Sequence, residues 1–505
     1  MKEMQAHPRK WWVLAVLVFG LLVIGFDTTI LTVALPVLTD ELGASTTELQ
    51  WIVNMYILLL AAFILVAGSF GDRFGRKKVL LIGLVVFGVA SVVAGYSTST
   101  EMLIFARGMM GVGAAIMMPL TISILPTVFP PDERGKAISI WSAGMGIGLL
   151  IGPLLGGYVL EHFDWGAIFL INIPLIMMTI VGVVYFVPES HDSRARKMDW
   201  LGMVLSSSGL IFIVYALTEA PEKGWGSPQI IAALSVGVIV LIAFVLWQWK
   251  NPFAMLDLDL FRNVRFTWAT VAGTVMMFIL AGILFFITQY LAFFYDATPF
   301  ESGVKLMPLI GAYTIGALGS NVLTKKAGEK WTIITGFVVL GIGMYMFTLL
   351  TVESEYVDLV YCFVIQGLGM GLMLAPAMDA VMGSLHLDEV GIGSAVNNTL
   401  RQVGSTLGIA LMGSIISYVY ADGIHDRASA FTPQPPKEMV DTLADSIGAA
   451  KHMALMLEKP MQKQVLLEAG NAFLDGVHAA VWFGVGGIIL AIVTTVLFFP
   501  KHADK

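Results

Sequence analysis

Apolar residues in this chain run in long unbroken stretches, separated by short polar segments, over nearly its whole length. A bilayer core about 30 Å thick is crossed by about 20 helical residues. Fourteen stretches meet that requirement, at about 12–34, 51–70, 78–97, 102–125, 137–160, 166–188, 199–218, 228–249, 267–292, 303–324, 331–351, 357–383, 393–420 and 477–499. Helices satisfy every backbone donor and acceptor within the segment, so the pattern predicts an all-α polytopic membrane protein. An even number of spans places both termini on one side.

Composition sharpens this. Of 505 residues, 57% are hydrophobic and 13% charged, against about 25% charged in an average soluble domain. A soluble enzyme, a secreted disulfide scaffold and a disordered chain are excluded. The net charge of −7 comes with no basic block, so nucleic acid is not an expected partner. The single cysteine, Cys362, allows neither an intrachain disulfide nor a cysteine metal cluster. The segment Met1–Lys10 followed by an apolar run resembles a signal peptide in outline. The run is too long, carries Asp27 and lacks a small-residue cleavage site, which makes it a retained first span.

Basic residues give the orientation. With a cytoplasmic N-terminus, most Lys and Arg fall in inner loops and tails, in clusters such as Arg73–Lys78, Arg194–Lys197 and Lys325–Lys330. The outer loop Leu35–Gln50 holds Asp40, Glu41 and Glu48 but no Lys or Arg. Both termini are therefore expected in the cytoplasm. The long outer segment 421–476 opens with Pro433, Pro435 and Pro436 and then shows helical apolar spacing over Lys437–Leu457 and Met461–Leu474, which predicts a helical hairpin; a flexible linker is the other reading.

An internal repeat follows the second and tenth spans. The first copy contains Gly68, Gly71, Asp72, Arg73, Gly75, Arg76, Lys77 and Lys78; the second ends Lys325-Lys326-Ala327-Gly328-Glu329-Lys330. Gly75 aligns with Gly328 and Lys77 with Lys330, and Lys325 replaces Asp72. Duplicated halves mark transporters with a substrate site between the repeats. If each half has six spans, the seventh and eighth are an additional pair. The expected organisation is 1–198 for a first six-helix bundle, 199–265 for the extra pair and inner loop, and 266–505 for a second six-helix bundle with the outer hairpin.

On these residues the chain resembles the major facilitator superfamily, and within it the fourteen-span drug:proton antiporters. Gly68–Lys78 is similar to the superfamily's inner-loop signature G-x-L-a-D-R-x-G-R-K, with Phe70 in place of Leu. The resemblance implies an inner gate made by Gly68, Asp72, Arg73, Gly75, Arg76 and Lys77; a basic loop that simply anchors the positive-inside topology is the alternative. In the fifth span Gly144, Gly148, Gly152, Pro153, Gly156 and Gly157 form a small-residue face suited to close helix packing. It resembles the antiporter motif, which implies export. The stretches Phe26–Pro36 and Gly391–Gly408 resemble the fourteen-span family in particular. One departure stands out: that family usually has Trp-Arg where this chain has Trp165-Gly166, ahead of Phe169–Pro174.

Ionisable residues at bilayer depth are costly and mark function by default. Four are deeply placed: Asp27, Arg107, Asp379 and Arg401. Counting rise per residue puts Asp27 and Arg107 at matching depth below the outer surface. Asp27, with Arg107 and Asp379, is the candidate for proton coupling, and Asp27 also for holding a cationic substrate. A fixed Asp27–Arg107 pair that only holds the bundle together is the competing reading, as is Arg107 snorkelling outward. Asp379 either couples protons or forms an ion pair with Arg401. Asn54, Tyr56, Gln289, Tyr290, Asn397 and Asn398 are candidates to line the substrate cavity, or ordinary packing residues.

No G-x-x-x-x-G-K-[ST], H-E-x-x-H or G-x-S-x-G occurs. An ATP-driven pump and a membrane enzyme are disfavoured, and no cofactor or metal is expected. The implied function is proton-coupled export of lipophilic, often cationic compounds by alternating access. A dedicated exporter of one metabolite or antibiotic is the runner-up, ahead of a symporter. The partners implied are a small-molecule substrate, protons and the lipid bilayer, with the chain working as a monomer.

Overall fold

The computed structural model describes residues 8–191, 199–251, 253, 254, 256, 258–385, 390–428 and 435–500. Among them every regular element is helical: α1 (Lys10–Leu42), α2 (Thr46–Phe74), α3 (Arg76–Gly95), α4 (Thr100–Val128), α5 (Pro131–His162), α6 (Ala167–Leu170), α7 (Asn172–Phe186), α8 (Trp200–Lys223), α9 (Pro228–Lys250), α10 (Val264–Phe294), α11 (Pro299–Lys305), α12 (Met307–Phe347), α13 (Tyr356–Gly383), α14 (Val390–Arg427), α15 (Lys437–Asp445), α16 (Ile447–Leu455) and α17 (Lys459–Phe498). Twelve helical stretches among the described residues are long and apolar enough to cross a membrane. That is two fewer than expected: 303–324 and most of 331–351 fall within the single stretch Pro299–Phe347, and 137–160 is not among the twelve.

Polar residues at the helix starts fix where the elements begin. Ser45 and Glu48 cap the start of α2 reciprocally, each side chain accepting the other's backbone N–H. The Ser99 hydroxyl accepts from Met102 N at the start of α4, and Asn263 Oδ1 accepts from Arg265 N and Phe266 N at the start of α10. Apolar side chains cover the outside as well as the core. Ile239 on α9 and Leu490 on α17 are 64% and 65% exposed, as suits surfaces bathed in lipid rather than water.

The chain divides into two compact units. The first comprises Met1–Ala34, Trp51–Leu210 and Ile239–Leu256; the second comprises Leu35–Gln50, Ile211–Val238 and Asp257–Lys505. In the first, α3 packs along α4 and touches α7. In the second, α12 pairs with α13, α10 with α14, and α17 runs beside α14 and α12. The start of α8 and the end of α9 are tied within the first unit by Asp199, which accepts from Trp247 Nε1 at 2.7 Å, Gln248 Nε2 at 2.5 Å and Gly202 N at 2.9 Å.

The outer segment is helical where it is described. α14 continues to Arg427, and α15 and α16 meet at Ser446, whose hydroxyl caps α16 by accepting from Ala449 N. The expected second arm is no separate helix: α17 begins at Lys459 and runs unbroken to Phe498. The layer is pinned from several sides of the second unit. Tyr420 Oη donates to Leu443 O at 2.8 Å, Thr46 Oγ1 to Asp445 O at 3.2 Å, and Lys451 Nζ lies 2.6 Å from Asp296. Burial, together with the negative charges of Asp441 and Glu48, pushes the Asp445 carboxyl above its ordinary value.

Candidate functional site

Asp27 on α1 and Arg107 on α4 form an ion pair in the first unit. Arg107 Nη1 stands 2.6 Å from Asp27 Oδ2, and the residues are 0% and 1% exposed. Arg107 Nε donates to Ile52 O at 3.3 Å, and the guanidinium lies 4.3 Å from the Tyr56 ring centroid. Desolvating two charges costs several kcal/mol per ion, so such a pair is weak evidence for stability and a strong pointer to function. Arg107 does not snorkel; its charge is spent inward.

The glycine face of α5 lies along α1 beside Asp27. A methyl group at Gly148 would meet Leu22 O at 2.9 Å and Phe26 N at 3.0 Å, and one at Gly152 would collide with Thr29 Oγ1. Gly144 and Gly156 face Val18 and Ile30 on the same helix. The small residues thus let two backbones touch where the buried carboxylate sits. Pro153 and Gly157 are buried in the same helix.

The cavity candidates divide by unit. In the first, Asn54 is fully buried and its amide has no hydrogen-bond partner among the described residues, while Tyr56 packs on Arg107. In the second, Gln289 donates to its own helix at Phe285 O, 3.1 Å away. It also lines a cavity of about 120 Å³ with Pro36, Asp40, Phe293 and His452. Tyr290 is wedged among Phe294, Tyr295 and Phe347, which is packing rather than lining. Asn397 Nδ2 reaches Met378 Sδ at 3.5 Å, and Asn398 is half-buried.

Asp379 and Arg401 do not pair. The Arg401 guanidinium donates to Met378 Sδ at 3.6 Å, whereas Asp379 lies in the field of Glu329 and Arg265. Successive residues on a helix point about 100° apart. With Met378 turned toward α14, its neighbour Asp379 faces elsewhere.

The two copies of the repeated loop both turn at a glycine with positive φ. Gly75 has φ 106° and Gly328 φ 82°, a region that side chains make costly. After each turn a lysine reaches the C-terminal end of another helix within its own unit. Lys77 Nζ donates to Val184 O of α7 at 2.8 Å, and Lys330 Nζ to Val496 O of α17 at 2.8 Å and Phe499 O at 2.7 Å. Cations suit these free carbonyls and the negative end of the helix dipole. In the first copy Glu189 accepts from Lys77 N at 3.1 Å, Arg76 N donates to Ser190 O at 2.8 Å, and Arg76 Nη1 to Ser123 O at 3.0 Å. Arg73 is exposed over the Phe74 ring, Gly68 is half-buried in α2, and the Asp72 side chain lies outside the described residues. Phe70 meets Trp200 edge-on at 5.3 Å. In the second copy Glu329 forms a two-pronged pair with Arg265, at 2.9 and 2.5 Å.

Three residues escaped sequence reasoning. Asn172, inside the quoted Phe169–Pro174 stretch, donates to Asp27 Oδ1 at 3.4 Å. Glu189 and Met378 carried no signal beyond following a span and lying in one. The missing arginine after Trp165 has a steric explanation: a Cβ on Gly166 would run into Gly95 O.

The Major Facilitator Superfamily model matches residues 17–409. The multidrug efflux pump LfrA of Mycolicibacterium smegmatis is 33% identical over 93% of this chain and 92% of its own length. The tetracenomycin C resistance and export protein of Streptomyces glaucescens is 29% identical over 98% and 92%, and the methyl viologen resistance protein SmvA of Salmonella typhimurium 27% over 98% and 99%. Among solved structures, the bacterial homologue of the human lysosomal transporter Spinster superposes with a TM-score of 0.70 at 16% identity, covering 98% of this chain and 99% of that one. The D-xylose-proton symporter gives 0.61 at 13%, covering 97% and 98%; both share the fold. Helices long enough to cross a bilayer, paired inner turns and a match over most of the length converge: the chain is a multi-pass membrane protein belonging to the Major Facilitator Superfamily.

Proposed function

We propose that this chain exports lipophilic, often cationic compounds in exchange for protons, by alternating access, as a fourteen-span drug:proton antiporter. The observation that carries the reading is the sealed Asp27–Arg107 pair, flanked by the glycine face of α5. Asp27 takes a proton from outside, is freed from Arg107, and returns the proton inside when the drug arrives. A membrane voltage of 100 mV contributes about 2.3 kcal/mol for each net charge moved. The relatives named for efflux, export and resistance favour the outward direction.

The span count has two supports. α12 has 41 residues with a non-helical break at Gly328; at 1.5 Å per residue it is about 60 Å long, twice a bilayer core. α5 has 32 residues. Counting α12 as two spans and α5 as one brings twelve to fourteen. The distribution of Lys and Arg supports cytoplasmic termini, and each chain acts alone on its substrate.

The test uses inverted vesicles with ethidium as probe. Acidifying the lumen should drive ethidium accumulation, an uncoupler should collapse it, and Asp27→Asn should abolish it. Proton-driven accumulation that survives Asp27→Asn would remove Asp27 from the coupling role. Because one relative is named for a single compound's export, a substrate panel separates a multidrug exporter from a dedicated one.

A further inference from the structure

We propose that Asn172 is a positioning residue for Asp27, holding the carboxylate in its charged form through an amide whose direction is set by Ser91. The inference rests on the reading of Asp27 as the coupling acid.

Asn172 opens α7 just after the joint at Ile171, and Asp27, Ser91 and Asn172 are all 0% exposed. The Ser91 hydroxyl donates to Phe169 O at 2.8 Å, so its oxygen is left to accept. It accepts from Asn172 Nδ2 at 3.1 Å. This orders the amide: the nitrogen, not the carbonyl oxygen, lies on the side shared by Ser91 and Asp27. The same Nδ2 donates to Asp27 Oδ1 at 3.4 Å while Arg107 holds Oδ2. Both carboxylate oxygens therefore meet donors, one charged and one neutral, from different helices. A donor stabilises the carboxylate and offers nothing to the acid's O–H. Asn172 thus favours the deprotonated, Arg107-paired arrangement, and a proton on Asp27 loosens both contacts.

Among the described residues, the charged and titratable groups facing Asp27 are Arg107 from α4 and Tyr56 from α2. α3 presents the neutral Ser91, α7 the neutral Asn172, and α5 presents Gly148 and Gly152 along this part of α1.

Ethidium-induced proton release from the purified full chain, followed across pH, tests this. Asn172→Leu keeps the shape and removes the donor, so the pH midpoint of release should move alkaline. Ser91→Ala, which frees the amide to turn, should move it the same way by less. Asn172 as a mere structural tie predicts weaker transport at every pH with both midpoints unchanged, and that result would overturn the proposal. If Asn172→Leu fails to accumulate, Ser91→Ala decides alone: a shift supports, no shift refutes. Asp27→Asn should release no protons. Continued release there sinks the reading of Asp27 itself, whereas its loss with an unmoved Asn172→Leu midpoint sinks only the role of Asn172.

Discussion

Arg107 and Asp27 meet at 2.6 Å with side chains 2% and 0% exposed, whereas Arg401 has a sulfur, Met378 Sδ, for its neighbour at 3.6 Å. Removing one partner of a buried pair strands the other charge, at a cost of about 3–5 kcal/mol. Arg107→Met should therefore lower the unfolding temperature sharply. The double change with Asp27→Asn should recover much of the loss. Arg401→Met leaves no carboxylate stranded and should lose far less. Thermal unfolding in detergent followed by tryptophan fluorescence compares all three; equal losses for Arg107→Met and Arg401→Met would contradict this account.

Gly75 and Gly328 stand at equivalent turns with φ of 106° and 82°. Alanine at either position carries a backbone cost of about 1–3 kcal/mol. Gly75→Ala adds a steric conflict, because its methyl would sit 2.8 Å from Glu189 Oε1, while nothing lies within 4 Å at Gly328. Denaturation of the two variants should rank Gly75→Ala as the more damaging.

Gly166→Arg, the residue expected at this position from the fourteen-span resemblance, should harm this protein. The added Cβ would collide with Gly95 O, so α6 and the end of α3 must separate. Overpacking of this kind costs about 1–3 kcal/mol. Gly166→Ala should show nearly the same loss of thermal stability, since the clash begins at Cβ. If Gly166→Ala is neutral, the explanation is wrong.

The outer layer should respond to pH through Asp445. Its carboxyl is raised by burial and by Asp441 and Glu48, so docking of α15 favours the neutral acid. That contribution is complete below the ordinary carboxylate pKa, about 3.9, and is lost as pH rises through the raised value. Amide exchange over 437–455, corrected for intrinsic chemistry, should be faster at neutral pH than at acid pH. Asp445→Asn should remove that difference; a difference that persists would place its origin elsewhere.

Much of the helical architecture was legible along the chain, because hydropathy over 20 residues and helix-capping side chains are local properties. The inner turns were legible for the same reason, since a glycine between basic residues specifies its own backbone. Asp27 and Arg107 could be matched in depth by counting rise per residue. The extent of the outer helices was harder: nothing local at Met461–Leu474 says that this arm continues into the last span, as α17 does.

The amino-acid sequence alone determined most of the helical segments, because length and hydropathy act within one helix; of the charges counted as deep, Asp27 and Arg107 are buried whereas Asp379 is exposed. Partnership was decided only by tertiary structure. Arg401 reaches Met378 rather than Asp379, Asn172 reaches Asp27 across 145 positions of chain, and Gly166 is required by a carbonyl on another helix. A side chain's partner depends on how each helix is rotated about its axis, and one residue changes that direction by about 100°. Only the packing of all the helices together sets that rotation.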